Sequence, residues 1–415
     1  MIGAAIEQVF RLEGARVLAG LIRRIGSFEL AEDALQEACA KALEVWPRDG
    51  LPDRPAAWLT TVAQHRAVDH LRQQRGTAVP LDELPDLAAG VADTADEAAA
   101  DAGAVEDDRL RLLFTCCHPA LGHAAQVALA LRTLCGLSTA EIARAHVEAE
   151  ATTAQRLVRA KRKIAEARIP FEVPPRKLLG ERVASVLGVV YLVFNEGYLG
   201  TESPGLLRPD LCAEGIRLGR LVNELLPGHA EAEGLLGLML LHDARRDARS
   251  DAQGQLVPLE EQDRALWHAA RIVEGLAWLD DALARRDVGP FQLQAAIAAL
   301  HARAATAADT DWPQIAALYA ALHRLQPTAI VELNAAVATA MAEGVDVGLR
   351  WIDAISERGE LADYHLVAAA RADLLRRSGR HADAALAYAQ ALRQVRNPAE
   401  RAYLERRLRQ AQAGG

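Results

Sequence analysis

The sequence has few aromatic residues and few cysteines, and both shortages limit what the chain can be. Aromatic residues make up 4% of the 415 positions, and β-branched runs are short and scattered, whereas alanine is abundant. This composition favours helix over sheet and predicts an all-α fold class. The five cysteines are an odd number without the spacing of a disulfide-rich secreted scaffold, which indicates reduced thiols in a cytoplasmic protein.

The sequence also has no long apolar run, and no signal peptide is predicted. The longest apolar stretch, Val183 to Phe194, contains Ser185 and Gly188 and is shorter than the roughly 20 residues that a bilayer-spanning helix needs. No membrane association is therefore predicted. The length exceeds that of one ordinary core, so two to four domains are expected.

Basic residues are absent from one segment, and this uneven distribution matters more than the net charge of −9. Residues 1–76 hold 10 basic and 10 acidic side chains, residues 77–108 hold 0 basic and 10 acidic ones, and residues 109–176 hold 11 basic and 5 acidic ones. Local charge decides nucleic-acid binding. The acidic segment contains Pro80 and Pro85 and is predicted to be a linker.

Residues 5–76 are predicted to form about three helices. In AEDALQEACAKALEVWP, apolar residues recur at helical spacing and predict a buried stripe of Leu35, Cys39, Leu43 and Trp46. The opposite face carries polar residues, namely Asp33, Gln36, Glu37, Lys41 and Glu44. Proline and glycine are predicted to break this helix at Pro47, Gly50, Pro52 and Pro55. The next helix is expected from about Ala56 to a stop at Gly76.

Residues 109–170 contain a predicted helix-turn-helix. Ser138 and Glu141 have the spacing of a capping box at the first helix, in which Ile142 and Ala143 face inward. The second helix is expected to start near Thr152 or Thr153, with Leu157 and Ile164 facing inward. Between 151 and 168 there are six basic residues and one acidic residue. Such a helix could bind protein, but its density of basic residues favours DNA.

Residues 177–415 are predicted to be helical throughout. Near the end, six residues fall close to tetratricopeptide positions: Ala370, Leu374, Gly379, Ala384, Tyr388 and Ala391. An earlier stretch, WPQIAALYAALHRLQPTAIVELNAAVATAMAEG, resembles the same unit less clearly. For residues 177–300 an irregular helical domain is an open alternative to a solenoid.

Three segments together resemble the extracytoplasmic-function (ECF) sigma factors of bacterial RNA polymerase. AEDALQEACAKALEVWP resembles the helix that docks on the polymerase clamp, RPAAWLTTVAQHRAVDHLRQQR the helix that meets the −10 element, and LSTAEIARAHVEAEATTAQRLVRAKRKI the helix-turn-helix that reads the −35 element. They occur in the family order. FTCCHPAL, YLVFNEGYLG and DWPQIAALY resemble one subgroup with a long, tetratricopeptide-like C-terminal extension.

The resemblance implies two partners, core RNA polymerase and promoter DNA, and a site for each. Residues implied in binding core polymerase are Asp33, Gln36, Glu37 and Lys41. Residues implied at the −10 element are His65, Arg66, Asp69, Arg72, Gln73 and Arg75, with a base pocket in the loop 47–55. Residues implied at the −35 element are Thr152, Thr153, Gln155, Arg156, Arg159, Lys161, Arg162 and Lys163. His65 departs from the family pattern, because many members have Asn before the arginine.

The domains implied are sigma region 2 at 5–76, an acidic linker at 77–108, sigma region 4 at 109–170 and a helical extension at 177–415. Each interface also has a simpler interpretation. The polar stripe at Asp33 is also compatible with an ordinary solvated helix face. For the extension, a protein, peptide or small-molecule regulator is a possible partner.

Two residue groups suggest chemistry of other kinds. Cys116, Cys117, His118, His123 and Cys135 suggest zinc, but the chain has no C-x₂-C pair, adjacent cysteines rarely share one ion, and core packing is favoured over a metal or redox role. Asn195, Glu196 and Tyr198 could be catalytic, but no second carboxylate or nucleophile can be placed beside them, and a hydrogen-bond network is favoured. No catalytic residue, metal or cofactor is predicted.

Three functions of different classes remain. A sigma factor without enzymatic activity accounts for all three matching segments. A freestanding helix-turn-helix regulator with a repeat-type sensor domain accounts for 137–164 and 177–415 but leaves 30–75 unexplained. A hydrolase or metal enzyme built on the extension rests on isolated His, Cys and Glu residues.

Overall fold

The chain folds into α-helices connected by short loops. The computed structural model describes residues 2–75, 102–145, 148–199 and 209–414. Within these ranges lie eighteen α-helices and one isolated β-bridge, Ser250–Leu256, without a named strand. The predicted all-α class is confirmed.

The chain divides into two compact units, residues 1–193 and 194–415. The first unit therefore contains both N-terminal segments for which the sequence predicts separate domains. Its helices are α1 (Ile2–Ile25), α2 (Phe28–Asp49), α3 (Pro55–Arg75), α4 (Ala102–Cys116), α5 (His123–Leu129), α6 (Thr139–Ala145), α7 (Glu150–Glu166) and the greater part of α8 (Arg176–Leu199). A short π-helix, Ala130–Leu134, continues α5.

Helix α2 is longer than predicted and buries a different face. It runs through Pro47, and its C-terminal cap is Gly50 at a φ of 88°, a left-handed conformation that favours glycine. Leu35 and Trp46 are buried, but Leu43 is 54% exposed, and Ala42 takes the buried position instead. The predicted stripe is therefore wrong at Leu43, which lies on the outer side of the helix.

The local signals of the helix-turn-helix are confirmed. The Ser138 backbone N–H donates to Glu141 Oε2 at 2.7 Å, and the Glu141 N–H donates to Ser138 Oγ at 3.2 Å. These reciprocal bonds form the capping box at α6. Helix α7 begins at Glu150, slightly before the predicted start, and buries Leu157 and Ile164.

The second unit is built from successive antiparallel helices. They are α9 (Pro209–Leu225), α10 (Ala230–Asp243), α11 (Ala269–Ala284), α12 (Pro290–Arg303), α13 (Trp312–Leu325), α14 (Ala329–Glu343), α15 (Val345–Arg358), α16 (His365–Arg377), α17 (His381–Gln394) and α18 (Pro398–Ala413). An irregular stretch with three 3₁₀ turns joins α10 to α11. At the predicted terminal hairpin, Leu374, Ala384 and Tyr388 are buried and Gly379 makes the turn at a φ of 77°. Its tetratricopeptide character stays a prediction.

Helix α8 is both long and largely apolar. Within the described residues one helix, Arg176–Tyr198, is long enough and apolar enough to cross a membrane, judged by length and composition alone. In its most apolar window, 39% is buried. A core helix of a soluble protein has the same properties, so this helix is weak evidence for a membrane span.

Candidate nucleic-acid and protein interfaces

The outer face of α2 combines charged residues with an exposed leucine. Asp33 and Gln36 are exposed, and Lys41 is half-buried with its ammonium 2.9 Å from Glu44. Leu43 follows Gln36 by seven residues, nearly two helical turns, and therefore lies on the same side. The sequence prediction missed this residue because it assigned Leu43 to the core. A mixed face with an apolar residue among charges is suited to binding another protein.

Glu37 differs from its neighbours on α2 because its carboxylate contacts two residues of α3. Its Oε1 lies 2.7 Å from His70 Nε2, and its Oε2 lies 3.7 Å from Arg66 Nε. Glu37 is therefore already engaged within the protein, unlike the exposed Asp33. The sequence prediction did not include His70.

The outer surface of α3 carries most of the residues implied at the −10 element. His65, Arg66 and Asp69 are exposed, and Arg72 is half-buried. They lie within two turns of one helix and form one surface. The side chains of Gln73 and Arg75 lie outside the described residues.

A basic cavity of about 440 Å³ adjoins the end of the loop 50–54, which is shorter than the predicted loop 47–55 because α2 continues to Asp49. Its lining includes four arginines: Arg16 in the middle of α1, Arg23 and Arg24 at the end of α1, and Arg54 in the loop. Arg23 is 2.7 Å from the buried carboxylate of Asp108, whereas Arg24 and Arg54 are exposed. Glu13 also lines the cavity, 3.9 Å from Arg16, so the net positive charge comes from Arg24 and Arg54. A partly open cavity with net positive charge is suited to an unstacked nucleotide.

Helix α7 presents part of its predicted DNA-binding set to solvent. The exposed residues are Thr152, Gln155, Arg159, Arg162 and Lys163, and Arg162 Nε lies 2.6 Å from Glu166. Thr153 is buried, and its hydroxyl donates to Glu148. Arg156 also donates to Glu148, with its two terminal nitrogens 2.5 and 2.7 Å from the carboxylate oxygens. Thr153 and Arg156 thus hold the turn before α7, and Thr153, being buried, is not part of the surface of α7 in this structure.

Lys161 faces α2 instead of solvent. Its ammonium lies 2.8 Å from Glu32 Oε2, while Arg132 Nε lies 3.5 Å from Glu32 Oε1. The side chain of Glu32 is 7% exposed and that of Lys161 is 18% exposed. In this structure α7 is therefore attached to α2 by a largely buried ion pair.

The cysteines of the first unit are packed in the core. Cys116 and Cys117 are buried, and Cys116 Sγ lies 3.1 Å from Thr133 Oγ1. Burial raises the pKa of Cys116 to about 12 and that of Cys117 well above its usual value. Both therefore remain protonated thiols at neutral pH, which makes them poor nucleophiles. Within the described residues no group of three or more His, Cys, Asp or Glu side chains could hold a metal ion.

Tyr198 belongs to a buried cluster in the second unit. Its ring lies 4.9 Å from that of His242, and the Arg249 guanidinium lies 3.7 Å above it. Arg249 also donates to the Tyr198 carbonyl. Asn195 and Glu196 are half-buried. The contacts of Tyr198 are thus ring contacts and one bond to its carbonyl, and the predicted hydrogen-bond network of Asn195, Glu196 and Tyr198 stays a prediction.

Comparison with known proteins connects these surfaces to one family. Residues 9–77 match the sigma-70 region 2 family, and residues 182–283 match a family of unknown function (DUF6596). An uncharacterized protein of Rhizobium meliloti is 45% identical over 395 residues, which cover 95% of this chain and 92% of that protein. No solved structure matches this chain.

Two Mycobacterium tuberculosis proteins named as probable ECF RNA polymerase sigma factor SigI are also similar. Each is 28% identical over 176 residues, which cover 41% of this chain and 58% of the relative. Sigma factors are normally cytoplasmic transcription factors without enzymatic activity. The chain therefore belongs to the same family as the Rhizobium meliloti protein, as an ECF-like sigma factor that joins a sigma-70 region 2 to a C-terminal extension carrying a DUF6596 domain.

Proposed function

We propose that this protein is a sigma subunit of the ECF type, which directs core RNA polymerase to specific promoters and starts transcription in the cytoplasm. One observation carries the proposal: the segment that matches sigma-70 region 2 shares a compact unit with a helix-turn-helix whose second helix exposes Arg159, Arg162 and Lys163. A freestanding helix-turn-helix regulator would leave the segment that matches sigma-70 region 2 unexplained.

Each surface takes one role in this proposal. The outer face of α2, centred on Asp33, Gln36 and Leu43, binds core polymerase. The outer surface of α3 and the basic cavity beside Arg54 hold the melted −10 element, and α7 inserts in the major groove at the −35 element. The predicted linker 77–108 is too long, because residues 102–108 belong to α4, in which Asp108 is buried beside Arg23. We assign the acidic segment 77–101, which lies outside the described residues, to a basic nucleic-acid channel of the polymerase.

The proposal requires that the contact between α2 and α7 opens. The −10 and −35 elements are named for positions about 25 base pairs apart, which is roughly 85 Å along B-form DNA at about 3.4 Å per base pair. A protein in which Lys161 lies 2.8 Å from Glu32 cannot reach both elements. We infer that the structure is the closed form of the free subunit and that polymerase binding separates the two segments.

Reconstituted transcription tests the proposal. Purified protein is added to core polymerase with genomic DNA fragments, and the transcript starts are mapped. We expect starts from a small set of fragments that share upstream sequences, and no such starts from core polymerase alone. Binding to DNA without core polymerase and without promoter-specific starts would instead support a freestanding helix-turn-helix regulator.

A further inference from the structure

A cavity in the second unit has no role in the proposed sigma function. Its volume is about 540 Å³, within the range of about 300–1,000 Å³ that is typical of small-molecule sites. Residues of α12, α14, α16 and α18 line it, and Trp312, the first residue of α13, adds to them. In stacked helical hairpins such a set of alternate helices forms the concave, ligand-binding face.

The irregular chain 256–264, here called the strap, lies along this cavity and is fixed at both sides. Arg264 Nη1 donates to the carbonyls of His301 and Ala304 at 2.6 and 2.8 Å. At the other side, Arg377 pairs with Glu260 of the strap. The cavity is therefore a built feature of the unit and not a gap beside a loose loop.

Arg264 supplies a positive charge to the wall of the cavity. Both of its observed hydrogen bonds come from Nη1, and no ion pair of Arg264 is found among the described residues. Removal from water lowers its pKa, while the charge of Asp309 has the opposite effect. Asp309 is itself occupied, since its carboxylate accepts from the Thr306 N–H and hydroxyl. The Nε–Nη2 edge thus remains for a carboxylate, which an arginine binds in a bidentate manner.

The other charges of the wall balance one another. Arg377 pairs with Glu260 and Asp373, and Arg376 lies 2.6 Å from Asp373. His301 adds no charge at neutral pH, because burial and the nearby Arg245 and Arg264 lower its pKa to about 4. Arg264 therefore supplies at most one positive charge, which Asp309 partly offsets, and such a site matches a monoanion better than a phosphate dianion.

Apart from Thr310, the remaining lining is apolar or aromatic. Trp312 packs edge-on against the His301 ring with 5.4 Å between centroids. Leu259, Val337, Met341, Leu374 and Tyr403 complete the wall. We propose that the cavity binds a small organic monocarboxylate, with its carboxylate on the Nε–Nη2 edge of Arg264 and a flat apolar body between Trp312 and the side chains of α14 and α16.

Isothermal titration of the full-length protein tests this site directly and does not require polymerase activity. The probes are 2-naphthoate, the uncharged isostere 2-naphthamide, and acetate, which has the charge without the apolar body. We expect 2-naphthoate to bind with a stoichiometry of one, 2-naphthamide to bind at least about tenfold more weakly, and acetate not to bind. A tenfold difference is about 1.4 kcal/mol, within the usual range of one hydrogen bond to a charged group.

Three variants locate the binding. Arg264→Met should weaken 2-naphthoate binding about tenfold or more without changing 2-naphthamide binding much. Ala308→Trp places a large side chain at an exposed position of the lining and should abolish binding of both probes, even if Arg264→Met proves unstable. Arg303→Met removes an exposed arginine at the end of α12 that is 3.5 Å from Asp280, and it should bind like the parent protein.

Several results would overturn the inference. Failure of 2-naphthoate to bind would do so, as would equal affinity for the acid and the amide, or unchanged binding in Ala308→Trp. A further arm compares a pentapeptide with a free C-terminal carboxylate and its amidated form. Binding of the free peptide more tightly than 2-naphthoate, with loss in Arg264→Met, would replace a small-molecule ligand by a protein terminus.

Discussion

Glu32 on α2 and Lys161 on α7 form a largely buried ion pair, 2.8 Å between Oε2 and Nζ, between two helices that must separate in the proposed initiation complex. Removing one partner of a buried pair usually costs about 3–5 kcal/mol. Because Arg132 still faces Glu32, we expect Lys161→Met to lower the free energy of unfolding by about 2 kcal/mol.

Glu32→Gln is the more informative change for function. It removes the charge that holds Lys161 but keeps the shape of the side chain, so the closed form should be weakened while Lys161 stays available to DNA. We expect faster amide hydrogen exchange in residues 150–166 and tighter binding of the free protein to upstream-element DNA. Glu29→Gln, at an exposed position in the first turn of α2, is the matched control. Unchanged exchange and DNA affinity in Glu32→Gln would show that the ion pair does not restrain α7.

The outer face of α2 gives a prediction about core polymerase. Asp33→Arg and Leu43→Asp change exposed side chains, so each should alter the free energy of unfolding by no more than about 0.5 kcal/mol. If this face docks on the polymerase, each should weaken core binding about tenfold or more, which corresponds to about 1.4 kcal/mol. Binding is measured by fluorescence anisotropy of labelled protein with purified core.

The control for this prediction is Asp53→Arg, an equivalent charge reversal at an exposed loop position outside the face. Glu37→Lys is less suitable as a test, because it also breaks the contacts to His70 and Arg66. Full core affinity in correctly folded Asp33→Arg and Leu43→Asp would remove the docking assignment.

Arg159 and Arg156 allow a test of the DNA-binding helix. Arg159 is exposed, so Arg159→Ala should leave folding intact. Loss of a phosphate contact would reduce the salt dependence of DNA binding by about one counterion, and loss of a base contact would cost about 1–3 kcal/mol at a single base pair. Arg156→Ala should also destabilise the turn, because it removes both bonds to Glu148. Wild-type affinity, specificity and salt slope for Arg159→Ala would exclude this residue from the interface.

Part of this fold could be predicted from the sequence because its determinants are local. The capping box of Ser138 depends on neighbours three residues away and appears as predicted. On α2, Ala42 aligns better than Leu43 with Leu35 and Trp46 on a helix of 3.6 residues per turn, but a pattern search prefers the larger apolar residue.

The partner of Lys161 could not be predicted, because Glu32 is 129 positions earlier in the chain. The spacing of α7 places Lys161, four residues after Leu157 and three before Ile164, closer to the buried side than Arg162, but it does not identify the partner. The cavity beside Arg264 is similar. Its lining comes from distant helices, and the absence of an ion pair on Arg264 within the described residues depends on their packing. Local patterns predict helices and their caps, whereas tertiary contacts decide which charges stay available.

The second unit should lose stability in mild acid because of His301. Its pKa is about 4 in the folded protein and about 6.5 in the unfolded chain. The unfolded state therefore takes up a proton first as the pH falls. The corresponding stability, about 3 kcal/mol, is present above pH 6.5 and is lost between about pH 6.5 and 4. Burial lowers the pKa of His242 well below its usual value, with the same sign of effect.

Thermal unfolding of the full-length protein across pH 4.5 to 7.5 measures this dependence. His301→Asn should reduce the fall in the melting temperature of the second unit between pH 7 and 5, whereas His268→Asn, at an exposed histidine 2.8 Å from Asp247, should alter it less. An identical pH profile in His301→Asn and the parent protein would contradict the buried, neutral state of His301.

The extension can be removed at a boundary that the structure defines. Arg182 on α8 donates to the Phe114 carbonyl at 2.5 Å, and the first compact unit ends at residue 193. A chain ending at 175 lacks this contact and leaves the end of α4 uncovered. We expect a chain ending at 193 to unfold at higher temperature than one ending at 175, and calorimetry of the two purified proteins checks this order.

The chain ending at 193 then tests whether the extension regulates the sigma unit. We expect its transcription from one cognate promoter to differ from that of the full-length protein, in vitro and in cells, with reduced activity if the extension is required for full function. Ala308→Trp in the full-length protein distinguishes regulation through the cavity from the effect of deleting the whole extension. It fills the proposed ligand site but keeps every helix of the extension. Equal output from the truncated and full-length proteins in all conditions would show that the extension does not control initiation.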